Sequence, residues 1–140
     1  MILLDSSLII AYSNEADQNH VKALKIVEDV DKGEYGTPAI TDYIFDEAVT
    51  VMLVKTKSPR LVADLGEKLS RACLLFRVDE QLFNASWKLF KEQVKPMFSF
   101  TDFTTISVCK ANRIPNIATF DEDFLKLKEF KIVGVQRDQQ

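Results

Sequence analysis

Four acidic side chains stand beside apolar stretches, where a carboxylate is costly unless something compensates its charge. They are Asp5, Glu47, Asp102 and Asp121. Carboxylates that share a pocket stay ionised together only if a cation neutralises them. Ligation by oxygen alone favours Mg²⁺ or Mn²⁺. A hard divalent ion held by carboxylates is typical of sites that cleave phosphodiesters, so these acids predict hydrolytic chemistry on a nucleic acid.

Three of these acids also fit purely structural roles. Asp5 follows the apolar run Ile2–Leu4 and could cap a short helical turn that begins at Ser7. Glu47 lies on the margin of an apolar helical stripe and could pair with Lys55. Asp102 follows Ser99 at the spacing of a capping box. Asp123, two residues beyond Asp121, is a possible fifth acid of the site.

Composition indicates one ordinary α/β domain spanning 1–140. The chain has 46% hydrophobic residues, a net charge of -3 and no basic stretch typical of nucleic-acid binders. Cys73 and Cys109 have no metal-binding spacing and are expected to be reduced core residues. The chain contains neither a phosphate-binding G-x-x-x-x-G-K-[ST] loop nor a G-x-G-x-x-G fingerprint.

Targeting and membrane signals are not expected. The opening apolar run ends at Asp5 and has no basic flank, unlike a signal peptide. No apolar run approaches the ~20 residues that cross a bilayer. We therefore expect a cytoplasmic protein with no membrane partner.

Apolar strand patterns alternate with helical periodicity along the whole chain. Strands are predicted near 2–5, 37–40, 73–78, 114–120 and 130–135. Helices are predicted at 17–32 and 41–56, and from 58, 79 and 99. This alternation predicts a mostly parallel sheet of about five strands with helices on both faces. The helix from 79 is expected to present an aromatic-rich core face of Leu82, Phe83, Trp87 and Phe90, with Trp87 packed rather than free to stack on a base.

Three of the four acids map to one edge of such a sheet. Sites in parallel sheets form outside the carboxyl ends of the strands, where the strand order reverses. Asp5 ends the first strand, Asp121 ends the fourth, and Glu47 lies early in the helix after the second. The helix that begins near Ser99 leads into the fourth strand, and we expected its start at the opposite edge. Topology alone therefore does not place Asp102 with the others.

Four motifs in order give the chain a family resemblance. They are Leu4-Asp5-Ser6, Thr41 to Glu47, Ser99-Phe-Thr-Asp102 and Thr119-Phe-Asp121. With these motifs the chain resembles a PIN domain, most closely the single-domain VapC-like toxins of prokaryotic toxin–antitoxin pairs. The resemblance covers nearly the whole chain. It implies that the start of the third acid's helix faces the same pocket as the other acids.

The resemblance also implies an activity. It predicts a Mg²⁺- or Mn²⁺-dependent endoribonuclease that cleaves single-stranded or looped RNA, with Asp5, Glu47, Asp102 and Asp121 as catalytic and metal-binding residues. Ser6 would bind a metal-bound water or a phosphate oxygen. A homodimer and a cognate antitoxin that inserts a segment into the acidic cleft are the implied partners.

Basic side chains are expected to rim the pocket so that RNA can approach it. The candidates are Lys55, Lys57, Arg60, Lys110 and Arg113. Each of them fits a solvated helix face equally well.

Other functions remain open at this stage. A haloacid-dehalogenase-like phosphatase needs a second Asp two residues after the first, where this chain has Ser7. A response-regulator receiver needs adjacent acids after the first strand, and Asp5-Ser6 is not such a pair. A non-catalytic domain of the same fold, with its acids forming a docking surface for a protein, is the alternative of a different class.

Overall fold

Five short parallel strands form the central sheet of the computed structural model, which describes residues 1–136. They are β1 (Ile2–Leu4), β2 (Pro38–Thr41), β3 (Leu74–Phe76), β4 (Asn116–Thr119) and β5 (Lys131–Gly134). Their order across the sheet is β3-β2-β1-β4-β5, with every neighbouring pair parallel. The predicted α/β class and strand number are confirmed, and the strands are shorter than the apolar runs that predicted them.

Six α-helices and one 3-10 helix connect the strands. They are α1 (Ser6–Ser13), α2 (His20–Asp31), α3 (Asp42–Thr56), α4 (Pro59–Ala72), α5 (Glu80–Glu92), α6 (Phe100–Asn112) and the 3-10 helix Glu122–Lys126. The sequence predicted only a helical turn where α1 forms a helix of eight residues. Within residues 1–136, no helix is long and apolar enough to cross a membrane.

Side-chain caps fix where four of the helices begin. Thr41 accepts a hydrogen bond from the backbone N–H of Ile44, and Ser58, Asp79 and Ser99 cap α4, α5 and α6 in the same way. An N-cap satisfies an N–H group that has no partner inside the helix. The predicted starts of α3 to α6 are therefore confirmed to the residue.

The core lies around β1, the central strand. Ile2 and Leu3 are fully buried, because helices cover both faces of the sheet. Both cysteines are free, as expected, and Cys109 is buried while Cys73 is partly buried. Burial raises the pKa of the Cys109 thiol to about 12 and that of Cys73 to about 11, which keeps both protonated and unreactive at neutral pH.

The predicted core face of α5 is wrong for Phe83 and Trp87, whereas Leu82 and Phe90 are partly buried and pack against the core. Phe83 is 44% exposed and Trp87 is 48% exposed, whereas Ser86 is the buried residue of this helix. The reason is that α5 packs on α6 through small side chains, with the Ser86 hydroxyl 3.1 Å from that of Ser107. The aromatic stripe is turned to one side of that contact and is left partly in solvent.

Candidate acidic site

Asp5 follows β1 at the point where the strand order reverses. Its backbone N–H donates to the carbonyl of Ala118 on β4, which ties the ends of the two strands together. The side chain is 5% exposed, and its Oδ2 accepts hydrogen bonds of 2.8 Å from the hydroxyls of Ser7 and Thr119. Although Asp5 occupies the N-cap position of α1, its side chain caps no N–H group, so the capping alternative is wrong.

The environment of Asp5 favours its neutral form. Burial raises the pKa of this carboxyl, and the nearby charge of Glu47 raises it further, while the hydrogen bonds from Thr119 and Ser7 act in the opposite direction. A carboxylate in such a place is stabilised by a positive charge. A proton or a nearby cation would therefore relieve the cost of burying this carboxyl.

Glu47 reaches the same region from the second turn of α3. Its Oε1 accepts a 2.9 Å hydrogen bond from the hydroxyl of Ser6, although the residue is solvent-exposed. No ion pair involves Glu47 within residues 1–136, so the alternative of a pair with Lys55 is wrong. Its neighbour Asp46 accepts instead from Thr50 along the helix. Ser6 thus orients Glu47. A contact between Ser6 and a phosphate stays a prediction.

Asp102 caps the start of α6, and its carboxyl group also has a raised pKa. It forms the full capping box with Ser99: its Oδ2 accepts from the Ser99 N–H at 2.9 Å, and its own N–H donates to the Ser99 hydroxyl at 3.1 Å. Burial raises the pKa of Asp102 to about 6, with the charges of Asp5 and Asp121 adding to the rise. The start of α6 therefore lies close enough to Asp5 and Asp121 for their charges to raise the pKa of Asp102.

The expectation that α6 begins at the opposite edge was wrong. The helix ends at Asn112, only three residues before β4 begins at Asn116. A helix that leads into a parallel strand runs against the strand direction, so its end lies at the amino edge and its start at the carboxyl edge. This argument could have placed Asp102 from the sequence alone.

Asp121 follows β4 and caps the 3-10 helix. Its Oδ1 accepts a 2.9 Å hydrogen bond from the Asp123 N–H, and its own N–H donates to the hydroxyl of Thr119 at 3.0 Å. The carboxylate of Asp123 lies 3.4 Å from Lys126. Asp123 is therefore occupied by an ion pair, and a role for it in the site stays a prediction.

Two hydroxyl residues of the site were not identified from the sequence. Thr119 is fully buried and bridges two acids, donating to Asp5 and accepting from Asp121. Ser7 donates to Asp5 and accepts from the N–H of Phe120 at 3.0 Å. Both stand within two residues of an acid, and this proximity was available in the sequence, where Thr119 appeared only as part of a motif and Ser7 as the start of a helical turn.

The donor set suits a hard divalent cation in its chemistry. All four side chains offer oxygen, and each has one oxygen held by a protein donor, at Ser7 and Thr119, Ser6, Ser99 or Asp123. A carboxylate has a second oxygen for a ligand. Within residues 1–136, no three His, Cys, Asp or Glu side chains already converge on one point.

The basic residues expected at the rim lie elsewhere. Lys55 and Lys57 stand at the end of α3, and Lys110 and Arg113 at the end of α6, so each helix separates them from its acid. At about 1.5 Å per residue, Lys110 lies roughly 12 Å along the axis from Asp102. Lys110 also pairs with Glu129 at 3.7 Å. The predicted phosphate contacts by these side chains are not supported.

Comparisons with known proteins agree with this architecture. A family model described as PIN domain matches residues 2–129. A similar solved structure is VapC20 of Mycobacterium tuberculosis, described as a sarcin-ricin loop cleaving toxin. Its TM-score is 0.82 at 23% identity, over 98% of this chain and 100% of that one. No curated protein matches in sequence.

Two further solved structures share the fold at lower similarity. VapBC2 from Rickettsia felis, bound to a DNA fragment from its promoter, has a TM-score of 0.69 at 14% identity, over 97% of this chain and 100% of that one. DNA-bound VapBC from Salmonella typhimurium has a TM-score of 0.63 at 16% identity, over 94% and 95%. At these identities the likeness establishes a common fold.

Proposed function

The chain belongs to the PIN domain family, and we propose on that ground that it is a metal-dependent endoribonuclease. The observation that carries the proposal is the electrostatic coupling of acids from distant parts of the chain. The charge of Glu47 acts on Asp5, and the charges of Asp5 and Asp121 act on Asp102. In this proposal, four elements supply one acidic site at the carboxyl edge of the sheet.

In this proposal the four carboxylates hold Mg²⁺ or Mn²⁺. When bound, such an ion polarises a phosphodiester and lowers the pKa of water. The protein's own contribution is to fix the carboxylates in place. The hydroxyls of Ser7 and Thr119 orient buried Asp5, Ser6 orients Glu47, and the capping box orients Asp102.

Burial of Asp5 and Asp102 also favours cation binding in this proposal. Because Asp5 and Asp102 are partly or fully withdrawn from water, their charges interact more strongly with a cation than exposed carboxylates would. The raised pKa values then fall when positive charge is present. The site is thereby matched to a divalent cation and to the phosphate groups that such an ion attracts.

The family and the similar structures also support partner proposals. VapC20 is described as cleaving the sarcin-ricin loop, which supports RNA as the substrate class here. Two of the similar structures are of VapBC. We propose accordingly that a cognate antitoxin binds this chain and covers the acidic site, and that the chain forms a homodimer, a state that sedimentation would measure.

Cleavage of a mixed RNA pool tests the proposed function. Wild-type protein with Mn²⁺ should cut RNA, EDTA should stop the reaction, and Asp5→Asn should be inactive with an unchanged circular dichroism spectrum. Undiminished cleavage by Asp5→Asn would contradict the proposal.

Neighbouring acids on α3 provide a matched control. Glu47→Gln should lose activity, by about 100-fold if misplacement of a reacting group sets the cost. Asp46→Asn removes the same charge from the other side of the helix and should retain activity. Equal losses in the two variants would show that only net charge matters.

A further inference from the structure

An aromatic surface lies beside the acidic site. It consists of the contiguous rings of Tyr43, Phe83, Trp87, Phe90 and Phe100. The ring centroids of Phe83 and Phe100 are 5.1 Å apart, those of Tyr43 and Phe100 are 5.8 Å apart, and Trp87 stacks on Phe90 at 5.8 Å. These rings form one continuous surface across α3, α5 and α6.

The aromatic surface includes residues at the starts of α3 and α6, the helices that carry Glu47 and Asp102. Phe100 is the first residue of α6, two positions before Asp102, and Tyr43 lies about one turn before Glu47 on α3. Residues four apart lie on the same side of a helix, so Tyr43 borders Glu47, and Phe100 lies in the same first turn of α6 as Asp102. The surface is continuous with the proposed catalytic site rather than an isolated patch.

The exposed rings favour an aromatic ligand, and Lys91 offers a phosphate contact beside them. Phe83 and Trp87 keep nearly half of their surface in solvent, and clustered exposed apolar side chains mark a binding site. Lys91 lies one helical turn after Trp87 and forms no ion pair in the described part of the chain, whereas Lys88 lines a groove with Glu92 and Ser107. The acidic residues of α5 lie at its ends, at Glu80 and Glu92.

On the basis of the proposed function, we propose that the aromatic surface binds unpaired RNA bases by stacking and leads their strand into the acidic site. Every base has a π face, so aromatic side chains bind single strands with little dependence on sequence, while neighbouring lysines contact the phosphates. A duplex keeps its bases stacked on each other and does not offer these faces. The aromatic surface would thereby select unpaired RNA, and Trp87 would contact a base directly.

The chain contains a single tryptophan, which makes Trp87 its own reporter. The experiment uses the full chain as Asp5→Asn, in EDTA, so that RNA is bound without being cut. A twelve-nucleotide single-stranded RNA should quench the Trp87 emission, and the same RNA annealed to its complement should leave it unchanged. Equal quenching by both, or by neither when the single strand binds, would overturn stacking at this surface.

Variants in the same background measure the contribution of the rings. Trp87→Leu and Phe83→Leu keep apolar side chains but remove the aromatic faces, and each should weaken binding of labelled single-stranded RNA at least about 5-fold. The matched control is Leu61→Ala, an exposed apolar residue of α4 outside the surface. Its affinity should equal that of Asp5→Asn alone.

The outcomes separate this inference from the proposed function. If the otherwise wild-type protein cleaves RNA but the ring variants bind it normally, the aromatic surface is not an RNA site and the nuclease proposal stands. If no RNA is bound or cut at all, both proposals fail. Sedimentation that shows the ring variants dissociating a dimer, with unchanged RNA affinity, would assign the surface to self-association and overturn the inference.

Discussion

Individual hydroxyl groups organise the carboxylates of this protein. Thr119 is fully buried, donates to Asp5 and accepts from the Asp121 N–H, so one side chain fixes two acids from different segments. A buried donor or acceptor that loses its partner costs about 1–3 kcal/mol. The geometry of the site therefore depends on residues that are not themselves acids.

Thr119→Val should reduce both stability and cleavage. The change keeps the side-chain shape but leaves Asp5 and the Asp121 N–H each short of a partner, so the free energy of unfolding should fall by about 1–3 kcal/mol. Misplacement of Asp5 should lower RNA cleavage by about 100-fold. Thr119→Ser keeps the hydroxyl and is the control. Equal cleavage rates for the Val and Ser variants would contradict a positioning role.

Asp102 should make stability depend on pH. Its pKa is raised to about 6 from an ordinary value of 3.8, so the folded state holds this proton more tightly than the unfolded state. Stability from this residue is thus complete below pH 4 and is lost as the pH rises through 6. Asp102→Asn stays neutral and keeps an oxygen for the Ser99 N–H. In EDTA, the Asp102→Asn variant should have a higher melting temperature than wild type at pH 7 and the same melting temperature at pH 4.

The control for this melting experiment is Asp64→Asn, which removes an exposed acid from α4. Its difference from wild type should not change between pH 4 and pH 7. If the difference in melting temperature between Asp102→Asn and wild type is also independent of pH, then the neighbours of Asp102 do not raise its pKa in the folded protein.

At the level of residues, the acids stand out in the sequence more clearly than the hydroxyl groups that bond to them. An isolated carboxylate beside an apolar run is conspicuous because its burial is expensive. A buried hydroxyl such as that of Thr119 is compatible with a strand, a turn or a core position, so its type alone does not indicate a bond across the sheet. Only the fold brings it 2.8 Å from Asp5.

Secondary-structure elements position the acids by where they begin and end. Two of the acids follow the ends of β1 and β4, and two lie in the opening turns of α3 and α6. The cap that starts α6 is also the contact that holds Asp102, because Ser99 and Asp102 bond reciprocally. Helix capping and site geometry are thus the same interaction at this position.

Ser99→Ala should separate these two effects when it is compared with Ser58→Ala. Both changes remove an N-cap hydroxyl, at α6 and α4 respectively, and each should lower stability by about 0.5–2 kcal/mol. Ser99→Ala keeps the Ser99 N–H that donates to the Asp102 carboxylate but removes the hydroxyl that accepts from the Asp102 N–H. Only this variant loosens the helix turn that carries Asp102, so only this variant should lose RNA cleavage under conditions where both remain folded. Similar cleavage by the two variants would indicate that the capping box serves stability alone.

Element boundaries were predictable where local chemistry sets them. Capping residues such as Thr41 and Ser58 specify a helix start through a bond to an N–H three residues later. The outward face of α5 was not predictable, because helical periodicity shows that Phe83 and Trp87 share a stripe but not what covers it. The packing of Ser86 against α6 determines which face of α5 is covered.

The whole molecule places the site at the reversal of strand order. β1 is flanked by β2 and β4, so the acids after β1 and β4 stand at the crevice between the two halves of the sheet. The α/β class and this location followed from the alternation of strands and helices. Asp102 lies at the same edge of the sheet because of the direction of α6, whose start the sequence prediction placed at the opposite edge.

Cleavage of RNA by Asp102→Asn tests the central proposal most directly, because this acid has a complete structural role as a cap. The measurement compares the wild type and the variant on one RNA pool with Mn²⁺ and with EDTA, alongside their circular dichroism. A four-acid nuclease site predicts cleavage by the wild type that requires metal and disappears in a variant that is still folded. Metal-dependent cleavage at the wild-type rate by Asp102→Asn would contradict it and leave this residue as a helix cap only.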